Sequence, residues 1–124
     1  MAEKQTQTKS ERVQAIADLE ELIATSRWFE EQLREARTTY SLTLAGLMAA
    51  RSVTDVLNEV QAARVRPEMT AAISALESAR RKSRISLIRA DLAEGSSLTR
   101  VANAWGTSRQ LISRYLRDTE EPVE

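Results

Sequence analysis

Apolar residues recur along the first third of the chain with alternating spacings of four and three: Ala15, Leu19, Leu22, then Phe29, Leu33, Ala36 and Tyr40, with Ser26 keeping the register. That alternation is the heptad seam of helices packed lengthwise. With Ser10 as its cap it predicts one long helix over 10–39, and the polar, aperiodic residues before it read as a disordered tail over 1–9. Ile16, Ile23 and Trp28 flank the seam and widen the apolar stripe, so this helix faces more than one partner element. Thr38, Thr39 and Thr43 weaken helix preference and place a break near Ser41.

Ser52 and Asp55 then have the spacing of a capping box, and Val53, Val56, Leu57 and Val60 form an amphipathic stripe ending near Arg64. Pro67 suits the first turn of a further helix, with Glu68 at its positive end. Met69, Ile73 and Leu76 make its first apolar stripe and Ile85, Ile88 and Leu92 a second. The change of register over 79–83 marks either a continuous helix or a hinge, and Gly95 stands where a C-terminal cap is needed. Ser97 offers the next N-cap, and residues 98–116 read as two short helices joined by a tight turn. Val101 and Trp105 on the first face Ile112 and Tyr115 on the second. Ala102 sits where only a small side chain fits, and Gly106 supplies the positive φ of the turn.

The predicted fold is therefore all-α. A long N-terminal helix and a helical core and dimerisation region occupy 10–79, a trihelical helix-turn-helix head 80–117, and an acidic tail 118–124. The heptad seam, with Leu19, Leu22, Phe29 and Leu33 at its centre, closes either within the chain or across a dimer; the pattern alone leaves both open.

Composition agrees with helix and narrows the chemistry. Three glycines and two prolines are the only strong breakers in 124 residues. The absence of cysteine and histidine removes disulfides, Cys/His zinc sites, thiol nucleophiles and the commonest general base, so neither a catalytic residue, a metal site nor a cofactor is expected. The opening MAEKQTQTKS has no apolar core of a leader, and the longest apolar run, 44–50, is too short to span a bilayer; a cytoplasmic protein with no membrane association is the expectation. The net charge of zero hides a division. Residues 1–79 carry nine basic and twelve acidic side chains, residues 80–117 nine basic against Asp91 and Glu94, and residues 118–124 four acids. A net +7 segment inside an acidic chain is the footprint of a polyanion-binding module.

At Ala102, Gly106, the run Ser108-Arg109-Gln110 and the apolar Val101, Ile112 and Tyr115, the chain resembles the helix-turn-helix family of bacterial and phage regulators. With the preceding helix included, residues 84–116 also resemble the three-helix DNA-binding domain of the resolvase/invertase recombinases and of sigma-factor region 4, over 33 of the 124 residues. Thr107 departs from the Val or Ile commoner at the turn. Nothing upstream resembles the recombinase catalytic domain, so recombinase activity is not carried over.

The resemblance implies that the helix over 108–117 enters the major groove of duplex DNA. Arg109 and Gln110 are then the leading base readers, joined by Ser113 and Arg114 one turn on. Ser97, Thr99, Arg100, Ser108 and Arg117 are placed for phosphates, with Lys82 and Arg84 extending that clamp. A homodimer is expected, because two half-sites multiply the affinity of one short recognition helix. The implied function is sequence-specific binding of double-stranded DNA by a transcriptional regulator, such as a repressor of bacterial, plasmid or phage type, acting at the nucleoid. Two alternatives remain: a nucleoid-associated or partition protein of low sequence specificity, and a protein-interaction adaptor.

Overall fold

The computed structural model describes residues 2–118, and these form five α-helices with no strand: α1 Ala2–Met48, α2 Val53–Glu59, α3 Ala62–Ala93, α4 Leu98–Trp105 and α5 Arg109–Asp118. No helix among them is long and apolar enough to cross a membrane. Of the expected acidic tail, all but Asp118 lies outside the described residues.

The first helix is longer than its apolar seam at both ends. It starts at Ala2, so residues 2–9 are helical where a tail is expected. They contain no glycine or proline, and Thr8 Oγ1 donates both to the Lys4 carbonyl (2.8 Å) and to the Ala93 carbonyl (3.0 Å) at the end of α3. Arg12 Nε adds an ion pair to Glu94 Oε1 at 2.7 Å. Ser10 consequently lies inside the helix and caps nothing. No break occurs at Ser41 either. The hydroxyls of Thr38, Thr39 and Thr43 donate back to the carbonyls of Arg34, Glu35 and Thr39, which satisfies the threonines inside the helix. Helix α1 ends instead where Ala50 turns left-handed (φ 60°), with its N–H on the Leu47 carbonyl and that of Arg51 on Gly46.

Ser52 caps α2 as expected, its Oγ accepting the Asp55 N–H, but the helix stops at Glu59 rather than near Arg64. Gln61 takes a left-handed conformation (φ 58°) and its carbonyl accepts the N–H groups of Arg64 and Val65, so α3 begins at Ala62, ahead of Pro67. Pro67 thus lies in the second turn of α3, where it removes a single ladder donor. Across 79–83, α3 is continuous. It ends in a left-handed cap at Gly95 (φ 103°): the Gly95 N–H bonds the Leu92 carbonyl and the Ser96 N–H that of Asp91.

The chain divides into two units, one of Met1–Leu22 with Ala79–Glu124, the other of Ile23–Ser78. The N-terminal segment therefore belongs with the C-terminal residues, whereas the sequence pattern groups 10–79 together. In the first unit, Ile88 of α3, Val101 and Ala102 of α4 and Ile112 of α5 form a buried cluster, with Leu92, Leu98, Tyr115 and Leu116 packed against it. Full burial of side chains of this size contributes about 1.5–3 kcal/mol each. In the second unit, Ala36 of α1 packs with Met69 and Ala72 of α3, flanked by Phe29, Leu33 and Val65. Gly46 of α1 lets Val56 of α2 approach closely: a Cβ there would lie 2.7 Å from Val56 Cγ2.

The heptad seam closes inside the chain. Ala15 is buried, Leu19 and Leu22 are half-buried in the first unit, and Phe29 and Leu33 pack on α3 in the second. The seam residues Leu19, Leu22, Phe29 and Leu33 are thus largely used up by intramolecular contacts, because α3 supplies a second long helix to cover them. Tyr40, the last of the seam, is left 55% exposed.

Candidate nucleic-acid interface

Helices α4 and α5 are each set by a serine. Ser97 Oγ accepts the Arg100 N–H (3.1 Å) at the start of α4, and Ser108 Oγ accepts the Leu111 N–H (3.1 Å) at the start of α5. Such caps are worth about 1 kcal/mol each. Gly106 ends α4 at φ 65°, ψ 37°, with its N–H on the Asn103 carbonyl and the Thr107 N–H on Ala102. This is the same closure seen at Gly95, and it brings α5 back across α4 within four residues. Ser97 and Ser108, expected at phosphates, therefore spend an acceptor lone pair on the backbone, while both stay exposed.

The expected core of this pair is present except for one member. Val101 and Ile112 are fully buried, Ala102 nearly so, and Tyr115 packs against them. Trp105 does not join them. It is 40% exposed and lines two grooves, one with Arg12, Ala15, Ile16 and Leu87 and the other with Leu87, Leu111 and Tyr115, so it lies at the edge of the cluster, outside the buried core. Trp105 is the last residue of α4, at the rim of the helix pair. Ile88 of α3 completes the buried cluster.

The polar positions divide into two groups. Arg109, Gln110 and Arg114 of α5 are exposed, as are Thr99 and Arg100 of α4 and Arg117 near the end of α5; Ser113 is half-buried. None of the arginines 100, 109, 114 and 117 makes an ion pair among the described residues. Between Leu98 and Arg117 the chain carries these four arginines and no acidic residue. Asn103, exposed one turn after Arg100, extends the same polar surface; its spacing of three from Arg100 was the available signal, and the sequence reading did not single it out.

Lys82 and Arg84 belong to the other group. Lys82 Nζ bonds Glu21 Oε2 at 2.9 Å and lies 3.7 Å from Asp18 Oδ1, and the hydrogen bond and charge of Glu21, with Asp18 behind it, raise its pKa. Arg84 stacks its guanidinium over the Tyr115 ring, 4.0 Å from the centroid, with Nε buried and unpartnered. Each would have to give up an existing contact to reach a phosphate, Lys82 its exposed ion pair with α1 and Arg84 its stacking on α5. Arg81 Nη2 likewise reaches the Asp118 carbonyl at 3.4 Å. Beneath Lys82, the 3% exposed Asp18 accepts hydrogen bonds from Ser86 Oγ and from Gln14 Nε2 (2.9 Å). No sequence motif flags Asp18, since an acid on an apolar stripe looks like an interruption until its partners on α3 are known.

The basic segment 80–117 is therefore only partly available. Residues 2–22 carry three basic and five acidic side chains, which lower the +7 of 80–117 to +5 across the two segments. Among the described residues, the stretch that carries basic side chains without acidic ones is Leu98 to Arg117. Comparison with family models, with curated proteins and with solved structures returns no match.

Proposed function

We propose that the chain is a sequence-specific double-stranded DNA-binding protein whose α3 C-terminal end, α4 and α5 form a trihelical helix-turn-helix head, with α5 as the major-groove helix. The observation that carries this reading is the set of four exposed arginines, without ion pairs among the described residues, on a capped helix pair that carries no acid from Leu98 to Arg117. Exposed cations without protein partners are the groups that displace counterions at phosphates. Arg109 and Gln110, in the first turn of α5, are the base readers, with Arg114 and the half-buried Ser113 one turn on. Arg100, Arg117 and Thr99 contact phosphates, and the hydroxyl protons of Ser97 and Ser108, left free by their capping role, add weaker contacts. Lys82 and Arg84 leave the phosphate set and act as braces.

The chain works as a homodimeric transcriptional regulator of repressor type, at the nucleoid, and carries out no catalysis. Selection of bound sites from random duplexes tests this reading. Enrichment of a repeated half-site, spaced by about 10 base pairs or a multiple, is the expected result. Equal affinity for selected and random duplexes would replace it with a low-specificity nucleoid role, and no binding even at low salt with an adaptor role.

A further inference from the structure

The second unit has little core of its own. Of the four largest fully buried side chains among the described residues, Ile88, Ile112 and Val101 lie in the first unit and only Val56 in the second. By contrast, eight of the thirteen exposed large hydrophobic side chains fall between Tyr40 and Ile73. Five of these, Tyr40, Leu44, Leu47, Leu57 and Ile73, line one groove, and at roughly 100 Å² each they present on the order of 500 Å², so that two copies would bury about 1,000 Å², the lower end for a specific interface.

The patch has a shape. The α1 seam, covered by α3 as far as Ala36, runs on through Tyr40, Leu44 and Leu47, and these residues with Leu57 of α2 and Met69 and Ile73 of α3 wall a groove of about 580 Å³. Its only charged lining residue is Arg66. The hydroxyls of Thr39 and Thr43 are turned onto the carbonyls of Glu35 and Thr39, so the groove offers few polar groups to orient a small ligand. A low-charge apolar floor is the character of an interface centre.

We infer that this groove is the homodimer interface, occupied by the same face of a second copy. The groove faces of two copies together reach the lower bound of a specific interface. A unit of 56 residues whose buried core is Val56, Met69 and small alanines gains from a partner the core it lacks. An isologous arrangement lays the Tyr40–Leu44–Leu47 ridge of one copy into the groove of the other, twice. The interface thus begins where the intramolecular seam ends. This assignment deepens the dimer named above and rests on the DNA-binding reading only for its consequence.

Sedimentation of the full chain tests it without DNA. The wild type is expected to be a dimer at micromolar concentration. Leu44→Glu with Ile73→Glu, at positions 59% and 50% exposed, is expected to keep the helical signal and raise the dimer dissociation constant about a hundredfold or more. Because the chain has no cysteine, Leu47→Cys gives an independent measurement: oxidation is expected to yield a covalent dimer, and Arg34→Cys, away from the groove, is not. Arg109→Ala with Arg114→Ala is expected to remain dimeric, which separates failure of this interface from failure of the DNA-binding reading. A monomeric wild type, or a dimer that survives the double glutamate substitution and does not cross-link through position 47, overturns the assignment.

Discussion

The Arg84 guanidinium lies 4.0 Å above the centre of the Tyr115 ring, joining α3 to the helix assigned to the major groove. Its Nε is buried with no acceptor, so the contact is held by ring attraction and packing. The pairing accounts for two assignments at once: Arg84 is withdrawn from the phosphates, and Tyr115 is fixed as a packing residue whose ring is covered on one face.

Arg84→Ala is expected to lower stability by about 1 kcal/mol through lost ring contact and stem packing. Arg84→Met keeps most of the stem and removes the unpaired Nε, so it should cost less. Neither variant is expected to change the salt dependence of DNA binding. Denaturant midpoints and salt titrations on the two variants check both statements, and a slope that falls by about one would return Arg84 to the phosphate set.

Gly46→Ala sets two effects against each other. Alanine in a helix interior gains about 1 kcal/mol over glycine, whereas overpacking costs about 1–3 kcal/mol. Both γ carbons of Val56 lie within 2.9 Å of the new Cβ, and Val56 is 1% exposed and β-branched, so rotation does not relieve the clash. Net destabilisation is expected. Combining Gly46→Ala with Val56→Ala should be less destabilising than the sum of the two, because the added methyl fills part of the space the valine leaves; a double-mutant cycle by chemical denaturation measures this.

The brace at Lys82 has a pH signature. Glu21 raises the Lys82 pKa above its ordinary 10.5, so the stability it contributes is fully present below that value and is lost as pH rises through the folded-state pKa. The difference in denaturation midpoint between wild type and Lys82→Met is therefore expected to be constant from neutral pH to about pH 10 and to shrink above it. Asp18→Ala acts differently: Ser86 keeps the Lys82 carbonyl as an acceptor and Gln14 is exposed to water, so the loss is that of the hydrogen bonds themselves, about 1 kcal/mol each by chemical denaturation, with no orphaned buried group.

Helix itself, the caps at Ser52, Ser97, Gly95 and Gly106, and the small core of Val101, Ala102 and Ile112 were all readable from spacing and turn chemistry, because each depends on residues close in sequence. The errors arose where the deciding partner is distant. Residues 2–9 read as a tail because the bonds that hold Thr8 and Arg12 end at Ala93 and Glu94. Lys82 and Arg84 looked like free cations for the same reason, their partners being Glu21 and Tyr115. The heptad seam was visible, but the helix covering it was not. The threonines near Ser41 failed as breakers because their hydroxyls bond within the helix, a choice that side-chain type does not determine.

The proposed function divides the exposed arginines into two roles that one pair of variants separates. Arg100→Ala, on α4, is expected to weaken binding about equally on all duplexes and to reduce the salt slope by about one. Arg109→Ala, in the first turn of α5, is expected to cost about 1–3 kcal/mol on the selected site and to relax preference at one base position. Affinities of both variants on a panel of single-base substitutions distinguish the roles; identical profiles would remove Arg109 from the base readers.

The most direct measurement is the affinity of the full chain for duplex DNA as a function of salt, made on wild type and on Arg109→Ala with Arg114→Ala. The account predicts tight binding at low salt, a steep linear fall of log affinity with log salt, and a shallower slope with weakened binding in the double variant. Absent binding at low salt, or a double variant that binds with unchanged affinity and slope, would contradict it.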